Sequence, residues 1–238
     1  MKSVQNFKPI LTIVPTPIGN MQDITIRAIE TLSSADYIAC EDTRRTGMLL
    51  KHFDIKGKKL ISCHDKNEEV RAAQIIDILS KGGTVALVSD AGTPGISDPA
   101  YRVVQAAIES GIQIISLPGA TALIPALVAS GLPIHNFTFL GFPPHKKGRK
   151  TFLENAASLN TTVVLYESSH RIVKLLGELS LYCGSDRKAV VAREISKIYE
   201  EYFRGTITEC YNEFAGRKES AKGEFVIVID CKSLADSN

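Results

Sequence analysis

Short apolar runs alternate with segments of helical periodicity along the first half of this 238-residue chain. Each run is four or five residues long, ends in a turn, and is followed by apolar residues at helical spacing. Strands that alternate with helices in this way predict a parallel sheet with right-handed crossovers, and therefore an α/β fold. The predicted strands are Leu11–Pro15, Asp36–Cys40, Leu60–Cys63, Thr84–Val88 and Ile112–Ser116.

The loop that follows Val88 is rich in small residues and joins a predicted strand to a predicted helix. It contains Gly92 and Gly95, and we expect Asp98 to be the N-cap of the helix, with Pro99 in its first turn. Free backbone N–H groups at a helix N-terminus favour anion binding. Asp90 follows the strand directly, where acidic side chains often bind a ribose diol. From this loop alone, an ordinary turn rich in capping residues is an equally good interpretation.

Two further loops follow predicted strands in the first half. Thr16–Asn20 is a glycine-bearing turn, after which Asp23 is expected to cap a helix. The charged cluster Glu41–Arg45 follows the second strand, and ligands of open parallel sheets bind at this edge. For an isolated charge cluster, a solvated loop is the more common structure.

The second half begins after a loop at 131–136, so we predict domains at 1–131 and 132–238. It contains five predicted strands and a dense basic run, His145–Lys150. Such a run is usually a solvated helix start, but it is also a candidate contact for phosphate groups of RNA. The basic residues that we consider for phosphate binding are Arg44, Arg45, Lys146, Lys147, Arg149 and Lys150.

Composition excludes several classes of protein. The five cysteines have no paired spacing, which argues against a disulfide framework and is typical of a protein of the reducing cytoplasm. No apolar run is long enough to cross a bilayer, and the histidines lack metal-ligand spacing, so we expect neither a membrane nor a metal site. The net charge of +2 means that any RNA contact must come from local patches.

A series of short motifs runs in order along nearly the whole chain, and their joint order is specific although each is weak alone. The chain resembles the ribosomal RNA small subunit methyltransferase I family, a branch of the tetrapyrrole (precorrin) methylase superfamily. The motifs are Thr16-Pro-Ile-Gly-Asn20, Glu41-Asp-Thr-Arg44, Ser89-Asp-Ala-Gly-Thr-Pro94, Ile96-Ser-Asp-Pro99, Pro118-Gly-Ala-Thr121, Tyr166-Glu-Ser-Ser-His-Arg171, Ala192-Arg-Glu194, Arg204-Gly-Thr206 and Lys222-Gly-Glu-Phe225.

This resemblance implies two α/β domains of the tetrapyrrole methylase type, with S-adenosyl-L-methionine in a cleft between them. The implied reaction is methylation of the ribose 2′-hydroxyl of a cytidine in 16S rRNA of the small ribosomal subunit, by a cytoplasmic homodimer. Tetrapyrrole-acting relatives carry Gly-Asp-Pro where this chain has Gly92-Thr-Pro94, which favours the RNA branch. Many RNA-branch members continue past the last strand with a helical segment, whereas this sequence ends at Asn238.

The resemblance also implies which residues bind the cofactor. We expect the polar groups of the cofactor to be held by the amides of Ala91, Gly92 and Ile96, by the Ser97 hydroxyl, and by Thr121 at a helix N-terminus. The full expected set is Pro17, Asp90, Ala91, Gly92, Ile96, Ser97 and Thr121, with Phe142, Tyr166, Arg193 and Gly223 around the adenine.

A ribose hydroxyl is a poor nucleophile, so its methylation gains from a general base or from a cation beside the forming alkoxide. Asp42 and Glu167 are the candidate bases, and Arg44 and Lys222 the candidate cations. Two other functions remain open, namely a small-molecule methyltransferase of the tetrapyrrole type and a non-catalytic RNA-binding protein on the same fold.

Overall fold

The computed structural model describes residues 9–217 and 222–231. Contacts divide the chain into two compact units, Met1–Thr121 and Ala122–Asn238. The sequence placed the domain boundary after residue 131, on the far side of the helix Leu123–Ser130. This helix belongs with the second unit because it packs against strands of the second sheet.

The first unit alternates strands and helices throughout. Among the described residues, its strands are β1 Ile10–Val14, β2 Tyr37–Cys40, β3 Lys59–Ser62, β4 Val85–Val88 and β5 Gln113–Ser116. The helices in the same range are α1 Ile26–Ser34, α2 Thr43–His52, α3 Glu68–Ser80 and α4 Tyr101–Glu109, and a 3₁₀ turn covers Met21–Asp23. The predicted strands are thus all present, each within a residue or so of its expected bounds.

The strands of the first unit form one parallel sheet in the order β3-β2-β4-β1-β5. The central strand β4 is buried on both faces. Val85 and Leu87 pack with α3 and α4, whereas Ala86 and Val88 pack with α1 and α2. This explains the continuous apolar run in the sequence, since successive strand residues face opposite sides and both sides are covered. The predicted parallel α/β sheet is confirmed.

The second unit contains the other strands and helices. The helices are α5 Leu123–Ser130, α6 Arg149–Ser158, α7 Ile172–Cys183 and α8 Ile207–Ala215. The strands are β6 Phe137–Gly141, β7 Thr162–Ser168, β8 Lys188–Arg193, β9 Glu201–Thr206 and β10 Glu224–Ile229.

The sheet of the second unit is mixed, in the order β6-β7-β10-β8-β9. Only the β6–β7 pair is parallel; β10 lies between β7 and β8 and is antiparallel to both, and β9 pairs with β8 as the expected hairpin partner. The helices α6, α7 and α8 cover one face around Leu175, Phe214 and Phe225. The ends of β6, β7 and β8 and the start of β10 consequently lie along one edge of this sheet.

Helices α1 and α4 begin later than the sequence predicted, and neither has the predicted cap. Helix α1 is capped by Thr25, whose hydroxyl accepts the Ala28 N–H at 3.0 Å, rather than by Asp23. Asp98 does not cap α4, which starts at Tyr101. There Glu68 supplies the acceptor, since its Oε1 takes the Arg102 N–H at 2.9 Å. A cap donated by another helix cannot be recognised from local sequence.

The buried face of α3 is not the whole apolar stripe of its sequence. Of the apolar residues at helical spacing, Val70, Ala73, Ile76 and Leu79, the last is buried but Val70 is 72% exposed. The buried residues are Glu68, Ala72, Ile75 and Leu79. The helix is oriented so that Glu68 points toward α4, and Val70, two residues further on, consequently faces solvent.

Candidate functional site

Two loops at the carboxyl edge of the first sheet are bonded into one piece. Thr16, after β1, and Gly92, after β4, exchange two backbone hydrogen bonds of 2.9 Å each. The Thr16 hydroxyl also donates to the Ser89 carbonyl at 3.1 Å, and the Ser89 hydroxyl donates to the Gly92 carbonyl at 2.9 Å. Because Thr16 and Ser89 are both buried, these bonds hold the loop backbone rigidly.

The loop after β4 offers fewer free amides than the sequence suggested. The Gly92 N–H donates to Thr16 and the Ile96 N–H donates to Thr93, so neither amide is available to a ligand in this arrangement. Gly92 has a φ of +86°, which favours glycine. Ala91 and Ser97 are exposed, and Ser97 also has a left-handed backbone, at φ +65°. The role of this loop in binding a cofactor therefore stays a prediction, carried by Ala91 and Ser97.

The loop after β5 is attached to the same edge. The Thr93 hydroxyl donates to the Ala120 carbonyl at 3.0 Å. A Cβ on Gly119 would lie 2.6 Å from the Pro15 Cβ, so only glycine permits this approach of the two loops. Pro17 and Thr121 lie next to these contacting residues in the sequence, and both are half-buried. Thr121 is the last residue of the first unit. Helix α5 begins two residues after Thr121, later than predicted.

Asp90 connects the loops after β2 and β4. Its Oδ1 accepts the Asp42 N–H at 3.0 Å, and its Oδ2 lies 3.6 Å from Nε of Arg45. The Glu41–Arg45 cluster and Asp90 therefore lie together at the carboxyl edge of the sheet. One carboxylate oxygen of Asp90 already has an N–H partner, so a ribose diol would have to bind through the other oxygen or share the first.

Carboxylates are crowded at this edge. The pKa of Asp98 is raised to about 6, first by burial and then by the charges of Glu41, Asp90 and Asp65. The pKa of Glu41 is raised as well, chiefly by burial and by Asp90. A bound group with a positive charge would relieve this repulsion. The sequence does not reveal this crowding, because Asp98 and Glu41 lie on loops that are distant in the chain.

Asp42 and Arg44 form a pair at the start of α2. Asp42 is the N-cap and accepts the Arg44 N–H at 2.8 Å. The guanidinium contacts both carboxylate oxygens, at 3.1 and 2.7 Å, while the Arg44 side chain remains 87% exposed. Hydrogen bonds from Arg44 hold the pKa of Asp42 well below its usual range. Asp42 is therefore a weak base, whereas Arg44 can reach a ligand from solvent.

The predicted residues of the second unit lie together along the edge described above. Tyr166 packs edge-on against Phe142, at 5.5 Å between ring centroids, and Phe142 is 49% exposed. Arg193, at the end of β8, donates from Nε to the Lys222 carbonyl at 2.6 Å. Gly223 has a φ of +125°, and a Cβ there would lie 2.6 Å from Glu194, so this close approach requires glycine. The Lys222 side chain is exposed.

Glu167 is placed differently from the other candidate bases. Its side chain has no exposed surface, and Oε1 pairs with Nη2 of Arg171 at 2.6 Å and accepts the Ser168 N–H at 2.8 Å. Oε2 has no hydrogen-bond partner among the described residues. A fully buried carboxylate cannot contact an RNA ribose in this arrangement. The role of Glu167 as a general base therefore stays a prediction, and its observed partner is Arg171.

Arg149 was predicted to contact phosphate, but the structure buries it. Its side chain is 8% exposed and pairs with Glu178 through Nε and Nη2, at 2.9 and 2.5 Å to Oε2. Its Nη1 donates to the Pro144 carbonyl at 2.9 Å. Arg149 thus holds the loop that follows Phe142, because α7 brings Glu178 against the start of α6. Lys146, Lys147 and Lys150 are exposed and remain candidates.

Two classes of site are absent from the described part of the chain. Residues 9–217 and 222–231 contain no group of three or more His, Cys, Asp or Glu side chains placed to hold a metal ion. No helix within these ranges has both the length and the hydropathy needed to cross a membrane.

Comparison with known proteins places the chain in a family. Residues 10–211 match the family described as Tetrapyrrole (Corrin/Porphyrin) Methylases. Over 97% of its length the chain is 46% identical to the ribosomal RNA small subunit methyltransferase I of Halalkalibacterium halodurans, and covers 80% of it. It is 47% identical, over 92% of its length, to the protein of that name from Hydrogenobaculum sp., and covers 94% of it. The chain belongs to the ribosomal RNA small subunit methyltransferase I family.

Solved structures agree with this fold. The uroporphyrin-III-C-methyltransferase of Thermus thermophilus matches with a TM-score of 0.62 at 18% identity, covering 94% of each chain. A cobalt-precorrin-4 methyltransferase also matches with a TM-score of 0.62, at 19% identity over 93% of this chain and 94% of that one. At this identity the likeness shows the fold alone, and it confirms the predicted tetrapyrrole methylase architecture.

Proposed function

We propose that this protein transfers the methyl group of S-adenosyl-L-methionine to a ribose 2′-hydroxyl of a cytidine in 16S rRNA, with the small ribosomal subunit as its partner. The observation that carries the proposal is family membership at 46–47% identity over nearly the whole chain. The relatives' name specifies rRNA of the small subunit, which favours RNA over a tetrapyrrole substrate. The 2′-hydroxyl, the cytidine, the cytoplasmic location and the homodimer come from the family resemblance of the sequence.

The charge of the first unit's carboxyl edge fits this cofactor. S-adenosyl-L-methionine carries a sulfonium and an ammonium against one carboxylate, and when bound it supplies an electrophilic methyl group. Glu41, Asp90 and Asp98 together would offset its positive charge, since two of these three carboxyls have raised pKa values in its absence. The exposed Ala91 and Ser97 would line its polar groups. We assign Phe142 and Tyr166 to the adenine by family resemblance, with Arg193 and Gly223 supporting them.

Arg44 and Lys222 are the proposed cations for the acceptor oxygen. Both side chains are exposed, so each can reach a macromolecular substrate. A cation beside the oxygen stabilises negative charge that builds up only during transfer, and therefore raises turnover more than affinity. Asp42 orients Arg44 through two hydrogen bonds and, with its lowered pKa, contributes little as a base. The larger share of the rate enhancement would come from holding the methyl carbon of the cofactor in line with the ribose oxygen, at about 3 Å.

The test is methylation of isolated small ribosomal subunits that lack the modification. Labelled S-adenosyl-L-methionine should transfer its methyl group to one ribose, which mapping detects as a bond resistant to alkaline hydrolysis. Arg44→Ala and Lys222→Ala should each lower the single-turnover rate by roughly a hundredfold, which is typical of losing one well-placed electrostatic group. Lys81→Ala, which removes an exposed lysine from the end of α3, should not change it.

Two results would contradict this assignment. Label on a base, or no label with active subunits and bound cofactor, would exclude the proposed reaction. Wild-type rates in both Arg44→Ala and Lys222→Ala at saturating substrates would remove these cations from the mechanism while leaving the reaction itself in place.

A further inference from the structure

A small cavity lies in the first unit between α2 and the loop that leads to β3. Its volume is about 260 Å³, and its walls include Gly47, Lys51, Asp54, Lys56 and Lys58. Sites for whole small molecules are usually about 300–1,000 Å³, so this one suits a single compact group better than a nucleotide. None of its residues belongs to the loops that we assign to the cofactor.

The charge of the cavity is positive. Three lysines face one carboxylate, that of Asp54, and Lys56 pairs with it at 2.6 Å, with both side chains more than 80% exposed. Such an exposed pair contributes little and can exchange partners. Within the described ranges, the Lys51 ammonium has no hydrogen-bond or ion-pair partner. Two of the three ammonium groups are therefore available to an anion.

Lys58 has a different role from the other two lysines. Its ammonium donates to the carbonyls of Ser33 and Ala35, at the end of α1, the latter at 3.0 Å. These bonds fix one wall of the cavity and leave the positive charge in place. Lys58 is for this reason excluded from the variants below, because its removal would leave two carbonyls without their donor.

The backbone around the cavity is shaped for a close approach. Asp54 has a φ of +54° and Gly57 a φ of +74°, so the loop turns sharply twice within four residues. In the described part of the chain, the N–H groups of Lys56 and Gly57 have no acceptor. Backbone N–H groups presented by such turns form concave anion sites. Lys56 and Gly57 both line the cavity, so their amides lie beside its lysines.

Gly47 keeps one side of the cavity open. It lies inside α2, where glycine costs about 1 kcal/mol relative to alanine. A Cβ at this position would meet no atom within 4 Å, so packing does not require glycine. A side chain at this position would project into unoccupied space on the cavity wall.

We propose that this cavity binds one phosphate group of the rRNA backbone, as an anchor separate from the cofactor loops. The inference rests on the proposed function, because it takes the RNA substrate as given. The ligand is a phosphate of a chain because the cavity is small and open and carries three lysines. Its apolar wall residues, Leu50, Ile55 and Leu60, include no aromatic ring on which a base would stack. The sequence analysis selected the runs at 44–45 and 146–150 and overlooked the lysines between 51 and 58.

The test compares the salt dependence of binding to isolated small ribosomal subunits. Lys51→Gln with Lys56→Gln should reduce the slope of log affinity against log salt by about 1, close to the loss of one phosphate contact, and weaken binding several-fold at low salt. The control is Lys81→Gln with Lys188→Gln, which removes the same charge from two exposed lysines elsewhere, one paired with an aspartate as Lys56 is. The control should keep the wild-type slope.

A second variant tests the cavity itself rather than its lysines. Gly47→Glu should fold, since helix propensity improves and space is available, and it places a carboxylate in the cavity. We expect weakened subunit binding, with cofactor affinity by calorimetry unchanged.

The outcomes separate this inference from the proposed function. If the wild-type protein methylates the subunit but both the Lys51/Lys56 and Gly47 variants bind with its slope and affinity, the phosphate site is excluded and the function stands. If the Lys81/Lys188 control lost as much affinity and salt slope as the Lys51/Lys56 variant, the effect would come from net charge alone, and the site would also be excluded. If the wild-type protein neither binds nor methylates the subunit, both proposals fail together.

Discussion

At the scale of single residues, the charge environment decides what each candidate can do. Asp42, Asp98 and Glu167 are three carboxyl groups near predicted motifs, and the sequence cannot rank them. Arg44 lowers the pKa of Asp42, burial and neighbouring carboxylates raise that of Asp98, and Arg171 holds Glu167 inside the second unit. Identical chemistry thus yields an ionised cap, a carboxyl that titrates near neutrality, and a buried structural ion pair.

The raised pKa of Asp98 predicts how stability depends on pH. Folding raises the pKa of Asp98 from 3.8 to about 6, so the folded state binds this proton more tightly than the unfolded state. The stability that this group contributes is therefore lost as the pH rises through that range. Asp98→Asn should therefore unfold at higher temperature than the wild type above pH 6. Because the side chain is partly exposed, we expect about 1 kcal/mol, or roughly 2–4 °C. Thermal unfolding at pH 4 to 8 measures this.

Asp77→Asn serves as a control, since Asp77 is 60% exposed and its pair with Lys81 lies on the surface. The difference between Asp98→Asn and the wild type should shrink toward pH 4, where Asp98 is protonated in the folded state and about half protonated in the unfolded state. A constant difference across the whole range would mean that packing, and not ionisation, accounts for the effect.

At the scale of elements, helix ends depend on partners that are remote in sequence. Helix α4 has no side-chain cap of its own, and Glu68 of α3 supplies one. Arg102 in turn contacts Glu69 at 2.8 Å, so the two helix starts are joined twice. This arrangement explains both the orientation of α3 and the late start of α4. It also leaves Asp98 outside the helix, free to take part in the carboxylate cluster.

Removing the Glu68 cap should destabilise the first unit. Glu68→Ala removes the acceptor of the partly buried hydrogen bond from the Arg102 N–H, and a lost cap costs about 1–2 kcal/mol. Glu68→Gln keeps an acceptor oxygen and should stay close to the wild type, which separates the cap from the charge. Urea unfolding followed by circular dichroism gives both values. Equal loss in the two variants would assign the effect to the carboxylate charge instead.

At the scale of the whole molecule, the protein combines two sheets of different construction. The first sheet is parallel and presents its carboxyl-end loops after β1, β2, β4 and β5, where Thr16 bonds to Gly92 and Thr93 bonds to Ala120. The second is mixed and collects the ends of three strands and the start of β10 along one edge. Each unit thus gathers its predicted site residues from several loops. Because a bound ligand would contact several loops at once, cofactor binding should raise the free energy of unfolding.

Cofactor binding should stabilise the protein against heat. At a hundredfold excess over its dissociation constant, S-adenosyl-L-methionine should add about 2.7 kcal/mol, which corresponds to roughly 5–10 °C for a chain of this size. Gly92→Val should abolish most of this shift, because its Cβ would lie 3.4 Å from Ile18 in a left-handed backbone. Differential scanning calorimetry with and without the cofactor measures the shift.

Gly111→Val is the matched control for this substitution. Gly111 also has a positive φ, +66°, but lies in the turn before β5, away from the carboxyl-end loops. Both variants should melt lower than the wild type without ligand, by about 1–2 kcal/mol of backbone strain. Only Gly92→Val should lose the cofactor shift. An unchanged shift in Gly92→Val would move the cofactor away from this loop.

The sequence by itself determined the strands, most helices, the parallel sheet of the first unit and the family. These follow from local periodicity and from motifs that are contiguous in the chain, so no tertiary contact is needed to recognise them. Tertiary structure alone decided that Glu68 caps α4, that Arg149 is buried against Glu178, and that Asp98 titrates near neutrality. Each of these depends on side chains that are far apart in sequence and meet only after folding, and the energy of a charge depends on such neighbours far more than on its own residue type.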